Sequence, residues 1–237
     1  ATTGVGLNES PPKVVCQKGA TVAEALKELS QNPTGREVTF SHVENFLVGE
    51  DSVSEIGSCL DYLARDVEVR LTTNIYIVRG GSAKDLITGA MSEQDDVTEM
   101  LSTLKRDISR TGEGYVYNCR DVLSNIEKLG CSLVMAIRGE KSADLSDGAS
   151  KLMVVPEGFA VVDGKEEIGL IDRETAHAVS VLTGKFKSET MTISCAGGKT
   201  TVFLSVDKMK IRPDYEDGSL NEIDISAAFK ARVVGID

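Results

Sequence analysis

The chain has 237 residues, 41% hydrophobic and 27% charged, which is the composition of a folded protein long enough to bury a core. Its formal net charge of −11 argues against a nucleic-acid partner, whose phosphates need Lys and Arg, and against attachment to anionic lipid by charge alone. Five cysteines stand at 16, 59, 119, 131 and 195 with no C-x-x-C pair. That pattern matches neither a zinc knuckle nor a disulfide framework, and reads as buried free thiols. No apolar run approaches the ~18 residues of a membrane span. The opening ATTGVGLNES has no basic n-region and no apolar h-region, so the chain is either cytosolic or lacks a targeting segment that has been removed.

The first elements read as follows. A short strand is expected near residues 3–7, before the Pro11–Pro12 break. TVAEALKELSQN, 21–32, predicts an amphipathic helix. Val22, Ala25, Leu26 and Leu29 fall on one face, and Thr21 with Glu24 forms a capping box. EVTFSHVENFLV, 37–48, predicts a strand with Val38, Phe40, His42, Phe46 and Val48 on one face. A helix over 52–65 turns Val53, Ile56, Leu60 and Leu63 inward. A strand over 67–80 ends at Gly80–Gly81, and SAKDLITGAM opens a short helix.

Two further helices are expected over 96–110, lined by Leu101, Leu104 and Ile108, and over 118–130, lined by Val122, Leu123, Ile126 and Leu129. Gly130 suits a helix C′ position. CSLVMAIRG, 131–139, is apolar on both faces and predicts a central strand. A polar connector, 141–150, follows. GFAVVDGKEEIGLID, 158–172, predicts a hairpin around Asp163–Gly164, then a helix over 173–184 and a second hairpin around residues 196–199. A last strand pair is expected at 208–212 and 222–235. The fold class is therefore mixed α+β and α/β: a small α/β layer with helices on a short sheet, then a smaller antiparallel β-hairpin plus helix module. The expected domains are 1–145, 146–212 and the start of a third at 213–237. Residues 1–35 pack either with the first domain or with the second.

Little chemistry stands out. His42 and Glu44, at i and i+2, share a strand face and are a possible two-ligand seed. His177 is the only other histidine, and neither H-E-x-x-H nor H-x-H occurs, so His42 reads as a partly buried structural residue. Ser41 precedes it, but no G-x-S-x-G elbow exists. RGGSAKDL, 79–86, places two glycines between strand and helix, where backbone N–H groups can face a phosphate. The P-loop and G-x-G-x-x-G patterns are both absent. The plainer reading is a tight corner at Gly80 and Gly81 with Ser82 as helix cap. Glu174 lies three residues before His177, but acidic residues in a first helical turn answer the helix dipole. No catalytic, cofactor-binding or metal residue is assigned, and no cofactor is expected.

Several blocks resemble one family. GATVAEALKELSQ is similar to its G-T-hydrophobic-x-E-A helix. TFSHVENFLVGED resembles its F-x-H strand and (I/V)-G-E-(D/E) turn. LDYLARDVEVRLTTNIYIVRGGSAKDLI resembles its hydrophobic-R-D-x-E-hydrophobic-R block. GFAVVDGKEEIGLIDRETAHAVSVLTGK and IRPDYEDGSLNEIDI resemble the openings of its second and third modules. The family is Ger(x)C, the lipoprotein C subunit of nutrient germinant receptors in spore-forming bacteria. The resemblance implies a non-enzymatic subunit on the outer face of the spore inner membrane. It would be held by a diacylglyceryl-modified Cys and would work with the A and B membrane subunits. It also implies that His42 belongs to a strand signature and that Arg65–Asp66 joins helix to strand. The family's lipobox is missing, and Cys16 does not fit it because Val15 stands where a small residue is needed. The chain is accordingly expected to be a trimmed soluble form that stops, at ARVVGID, within the third domain. The alternative function is a germinant-binding module with a pocket between the two domains. An enzyme is the weakest reading.

Overall fold

The computed structural model describes residues 14–31, 40–92, 96–143, 150–186, 188–195 and 198–236. The chain forms two compact units, residues 1–104 with 116–172 and residues 105–115 with 173–237. The expected strand at 3–7 lies outside the described residues.

The first unit contains α1 (Val22–Ser30), β1 (Asn45–Gly49), α2 (Ile56–Arg65), β2 (Asn74–Arg79), α3 (Ala83–Ser92), the start of α4 (Val97–Thr111), α5 (Cys119–Leu129), β3 (Ser132–Ala143), β4 (Ser150–Val162) and β5 (Glu167–Asp172). The strands form one sheet in the order β1-β2-β3-β4-β5. β1, β2 and β3 run parallel, while β4 and β5 add antiparallel. Parallel neighbours need long crossovers, and the intervening helices supply them. β3 is central, as its two-sided apolar run predicts, and Val134, Met135, Ala136 and Ile137 are all buried. Alternation sends Ile75 and Ile77 of β2 to one face, where α2 and α5 bring Ile56, Leu60, Leu63 and Val122 into the same core. Tyr76 and Val78 point to the other face, on which Leu86 of α3 and Leu152 close over Gly139 of β3. The hairpin expected over 158–172 forms as β4 and β5, and the polar connector joins β3 to β4.

Local signals explain most boundaries. Thr21 caps α1, its Oγ1 accepting from the Glu24 N–H at 3.1 Å, and Glu24 reaches back one residue further than a capping box requires, to the Ala20 N–H. Asn118 caps α5 through the Asp121 N–H, and Gly130 closes it at φ +78. α2 begins with a 3-10 turn over Glu50–Glu55, and Val53, Ile56, Leu60 and Leu63 are all buried. Gly57 sits where α2 meets the β4–β5 turn. A Cβ there would come within 2.2 Å of the Gly164 carbonyl oxygen, so only glycine permits the approach.

Three expectations need correction. The strand read over 37–48 is confined to Asn45–Gly49, with 32–39 outside the described residues. Ser41 and His42 form a turn, closed by the Val43 N–H on the Phe40 carbonyl and fixed by Thr73 Oγ1 on the Val43 carbonyl. His42 is therefore exposed rather than partly buried. The strand read from 67 starts at Asn74, because Asp66 Oδ1 accepts the Glu68 N–H at 2.8 Å and turns the chain out of extension. Val67 is consequently 99% exposed. Leu129 is 73% exposed, since the chain reverses immediately after it at Gly130.

The second unit joins residues 105–115, including the end of α4, to α6 (Arg173–Leu182), β6 (Ser188–Cys195), β7 (Gly198–Glu216) and β8 (Ser219–Ile236). Its strands form an antiparallel sheet, β6-β7-β8. Ile108, Ala176, Ser180, Phe186 and Val202 are buried. β7 and β8 turn at Asp217 and Gly218, with φ of 51 and 79, as a type I′ hairpin demands. Residues 211–235 of this ribbon are all exposed.

Candidate functional site

The parallel strands β1 and β2 end side by side, and the ends of parallel strands are where α/β sheets place their functional groups. β1 runs into Glu50 and β2 into Arg79 and Gly80. Arg79 Nη1 donates to Glu50 Oε1 at 3.1 Å, and its Nη2 donates to both carboxylate oxygens of Glu167 on β5. The Gly80 N–H donates to Glu50 Oε2 at 3.0 Å. The Arg79 and Glu167 side chains are only 16% and 19% exposed. The Gly80 N–H, seconded by Arg79, holds the Glu50 carboxyl below the usual glutamate range.

Gly80 makes this corner at φ +68, and Ser82 caps α3, its Oγ accepting the Asp85 N–H at 3.0 Å. The corner-and-cap reading of RGGSAKDL therefore holds. The chain's own Glu50 carboxylate takes the backbone N–H that a phosphate would need, and Arg79 is already committed to two carboxylates.

Beside this corner runs a groove of about 350 Å³. It is lined by residues 46–49 of β1, by Asp51, Ser52 and Cys59, and by residues 82–84. Burial raises the Cys59 thiol above its ordinary range, with Glu55 adding to the effect. The Lys84 side chain has no ion-pair partner among the described residues. Sequence reading missed this groove, since β1 and residues 82–84 lie about thirty residues apart and neither carries a motif.

The two histidines stay apart in role. His42 and Glu44 are both exposed, and Glu44 offers the sheet its carbonyl, which accepts the Asn74 N–H. His177 of α6 places Nδ1 3.1 Å from the Gly112 carbonyl oxygen and Nε2 3.3 Å from Glu189 Oε2, with Phe186 edge-on at 5.4 Å. Glu174 is exposed on the first turn of α6. Arg65 pairs with Asp61, and Asp66 accepts the Tyr62 hydroxyl, so the pair shapes the end of α2. Among the described residues no three His, Cys, Asp or Glu side chains come together as a metal site, and no helix is long and apolar enough to cross a membrane.

The profile of the spore germination protein N-terminal domain matches residues 1–138, more than half of the chain. The chain belongs to the Ger(x)C family of spore germination proteins. The crystal structure of the GerBC protein is similar, with 17% identity and a TM-score of 0.47 over 89% of this chain and 59% of that one. The present chain thus spans less than two thirds of the GerBC chain. No curated protein matches. The Ger(x)C family belongs to germinant receptor complexes and is associated with the spore membrane.

Proposed function

We propose that the chain is the C subunit of a spore nutrient germinant receptor, acting without catalysis as a structural and interaction subunit beside the A and B membrane subunits. The observation that carries this reading is the family match across residues 1–138. At the Arg79 corner the guanidinium is taken up by Glu50 and Glu167, an arrangement that suits a structural role in tying the strand ends together. In the intact protein a diacyl lipid would hold the body at the outer face of the spore inner membrane. Two acyl chains give stable attachment where one binds only marginally. A covalent anchor suits a body of net charge −11, which anionic headgroups repel.

The test is nutrient germination of spores carrying the intact gene, its deletion or a His42→Ala allele, scored by dipicolinic acid release. Deletion should abolish the nutrient response. His42→Ala should preserve it at normal protein level. Intact responses after deletion would overturn the reading.

A further inference from the structure

β8 is an outer strand of the three-stranded sheet, and among the described residues no strand pairs with its far side. Its register with β7 skips Asn221 and Val234, so the stretch 222–233 between them runs as a regular strand. Alternation divides that stretch into two rows. Ile223, Ile225, Ala227, Phe229, Ala231 and Val233 make an apolar row on one face. The other row holds Glu222, Asp224, Lys230 and Arg232, with Ser226 and Ala228 between the acids and the bases. The charged row changes sign about Ala227. Glu222 and Arg232 each lie five residues from Ala227, and Asp224 and Lys230 each lie three.

A strand with that symmetry is complementary to itself. Laid antiparallel against a second copy with Ala227 opposite Ala227, β8 sets Glu222 against Arg232 and Asp224 against Lys230, and each pair occurs twice. On the apolar row the same register sets Ile225 against Phe229 and Ile223 against Ala231. Facing residues are then both odd or both even, so the outward backbone groups of one copy meet those of the other, as an antiparallel ladder requires. A slip of two residues either way keeps one kind of ion pair in place of two. Charge on an edge strand commonly repels a neighbour. Here its arrangement selects one. The bases also remain available on the outer side. Lys230 Nζ holds Asp207 Oδ1 at 2.6 Å yet its side chain is 75% exposed, and the Arg232 guanidinium lies 5.7 Å from the Phe203 ring centroid.

We propose that β8 is the contact strand of a homodimer, in which two copies join their three-stranded sheets into one sheet about a twofold axis at Ala227. A twofold contact uses the same patch on both copies, and a self-complementary strand supplies such a patch. The net charge of −11 opposes association, but salt screens that repulsion beyond about 8 Å, whereas the paired side chains meet directly. The proposal goes beyond the receptor reading, and its test uses the purified chain and no germination readout. Failure here would leave the receptor reading standing.

Sedimentation over a wide range of concentration should show a monomer–dimer equilibrium. Charge reversal then reads the register. One variant carries Glu222→Lys with Asp224→Lys, and the other carries Lys230→Glu with Arg232→Glu. Each should weaken self-association at least tenfold, because all four cross-strand pairs become repulsive. An equimolar mixture of the two should associate again, which misfolded variants could not do. Ala227→Cys, in a chain carrying Cys16→Ser, should crosslink to its own copy under mild oxidation at least tenfold faster than Ser219→Cys does, since only residue 227 meets itself. A chain that stays monomeric throughout, a dimer indifferent to both reversals, a mixture that does not associate, or equal crosslinking at 219 and 227 would each overturn the proposal.

Discussion

Arg79 holds two carboxylates, those of Glu50 and Glu167, at the end of β2, and its removal should be felt at once. A part-buried carboxylate left without its cation is costly, so Arg79→Ala should destabilise the chain by about 3 kcal/mol in urea unfolding. Glu50 supplies a pH dependence. Its folded-state pKa is depressed, so its contribution is fully present above the ordinary glutamate range and is lost as pH falls through the lower folded value. Glu50→Gln should therefore flatten the acid limb of the stability curve and leave its slope near neutrality unchanged. The thiols give a third test. Cys119 is fully buried, and burial pushes its thiol up to about 11, whereas Cys16 is exposed. Iodoacetamide at pH 8 should label Cys16 in the native chain and Cys119 only after unfolding. Residue type predicted buried thiols throughout, and this holds for Cys119, whereas Cys59 and Cys131 are half-buried and Cys16 is exposed. The partnership of Arg79 with Glu167 was not legible, because 88 positions separate them and no local spacing records the approach.

Helices were more legible than strands, for a physical reason. α5 announces itself through its Asn118 cap and both α2 and α5 through apolar stripes that lie within the element, and apart from Leu129 the residues those stripes name sit in or against one core. β1 and β2 are shortened by bonds to side chains elsewhere. Thr73 anchors the turn before β1, and Asp66 folds the chain back before β2. An apolar alternation extends through both turns, so pattern alone carried the strands too far and placed His42 inside one. Packing between elements leaves even less trace. Gly57 looks like an unremarkable helix interior glycine, yet it lets α2 touch the β4–β5 turn. Gly57→Ala should cost about 1–3 kcal/mol by overpacking, against the small gain an exposed helical site would give. Urea midpoints of the variant and the parent decide between the two.

At the scale of the molecule, the largest feature that the sequence understated is the ribbon of β7 and β8. A last strand pair was expected over 208–212 and 222–235, whereas the strands run through Glu216 and from Ser219, about 60 Å for β7 at ordinary strand rise. One face of the ribbon aligns Ile211 with Ile225, Pro213 with Ile223 and Tyr215 with Leu220, all exposed. Replacing Ile223 and Ile225 by serine should lower the fluorescence of an apolar dye on the native chain, while stability moves by no more than about 0.5 kcal/mol. The turn at Asp217–Gly218 has a practical use. It lies among exposed residues and closes with its own local geometry, so a short epitope inserted there lengthens a loop at little entropic cost. The ribbon tip is thus a natural handle, a place to attach a reporter and follow this protein in a living spore while both cores remain as they are.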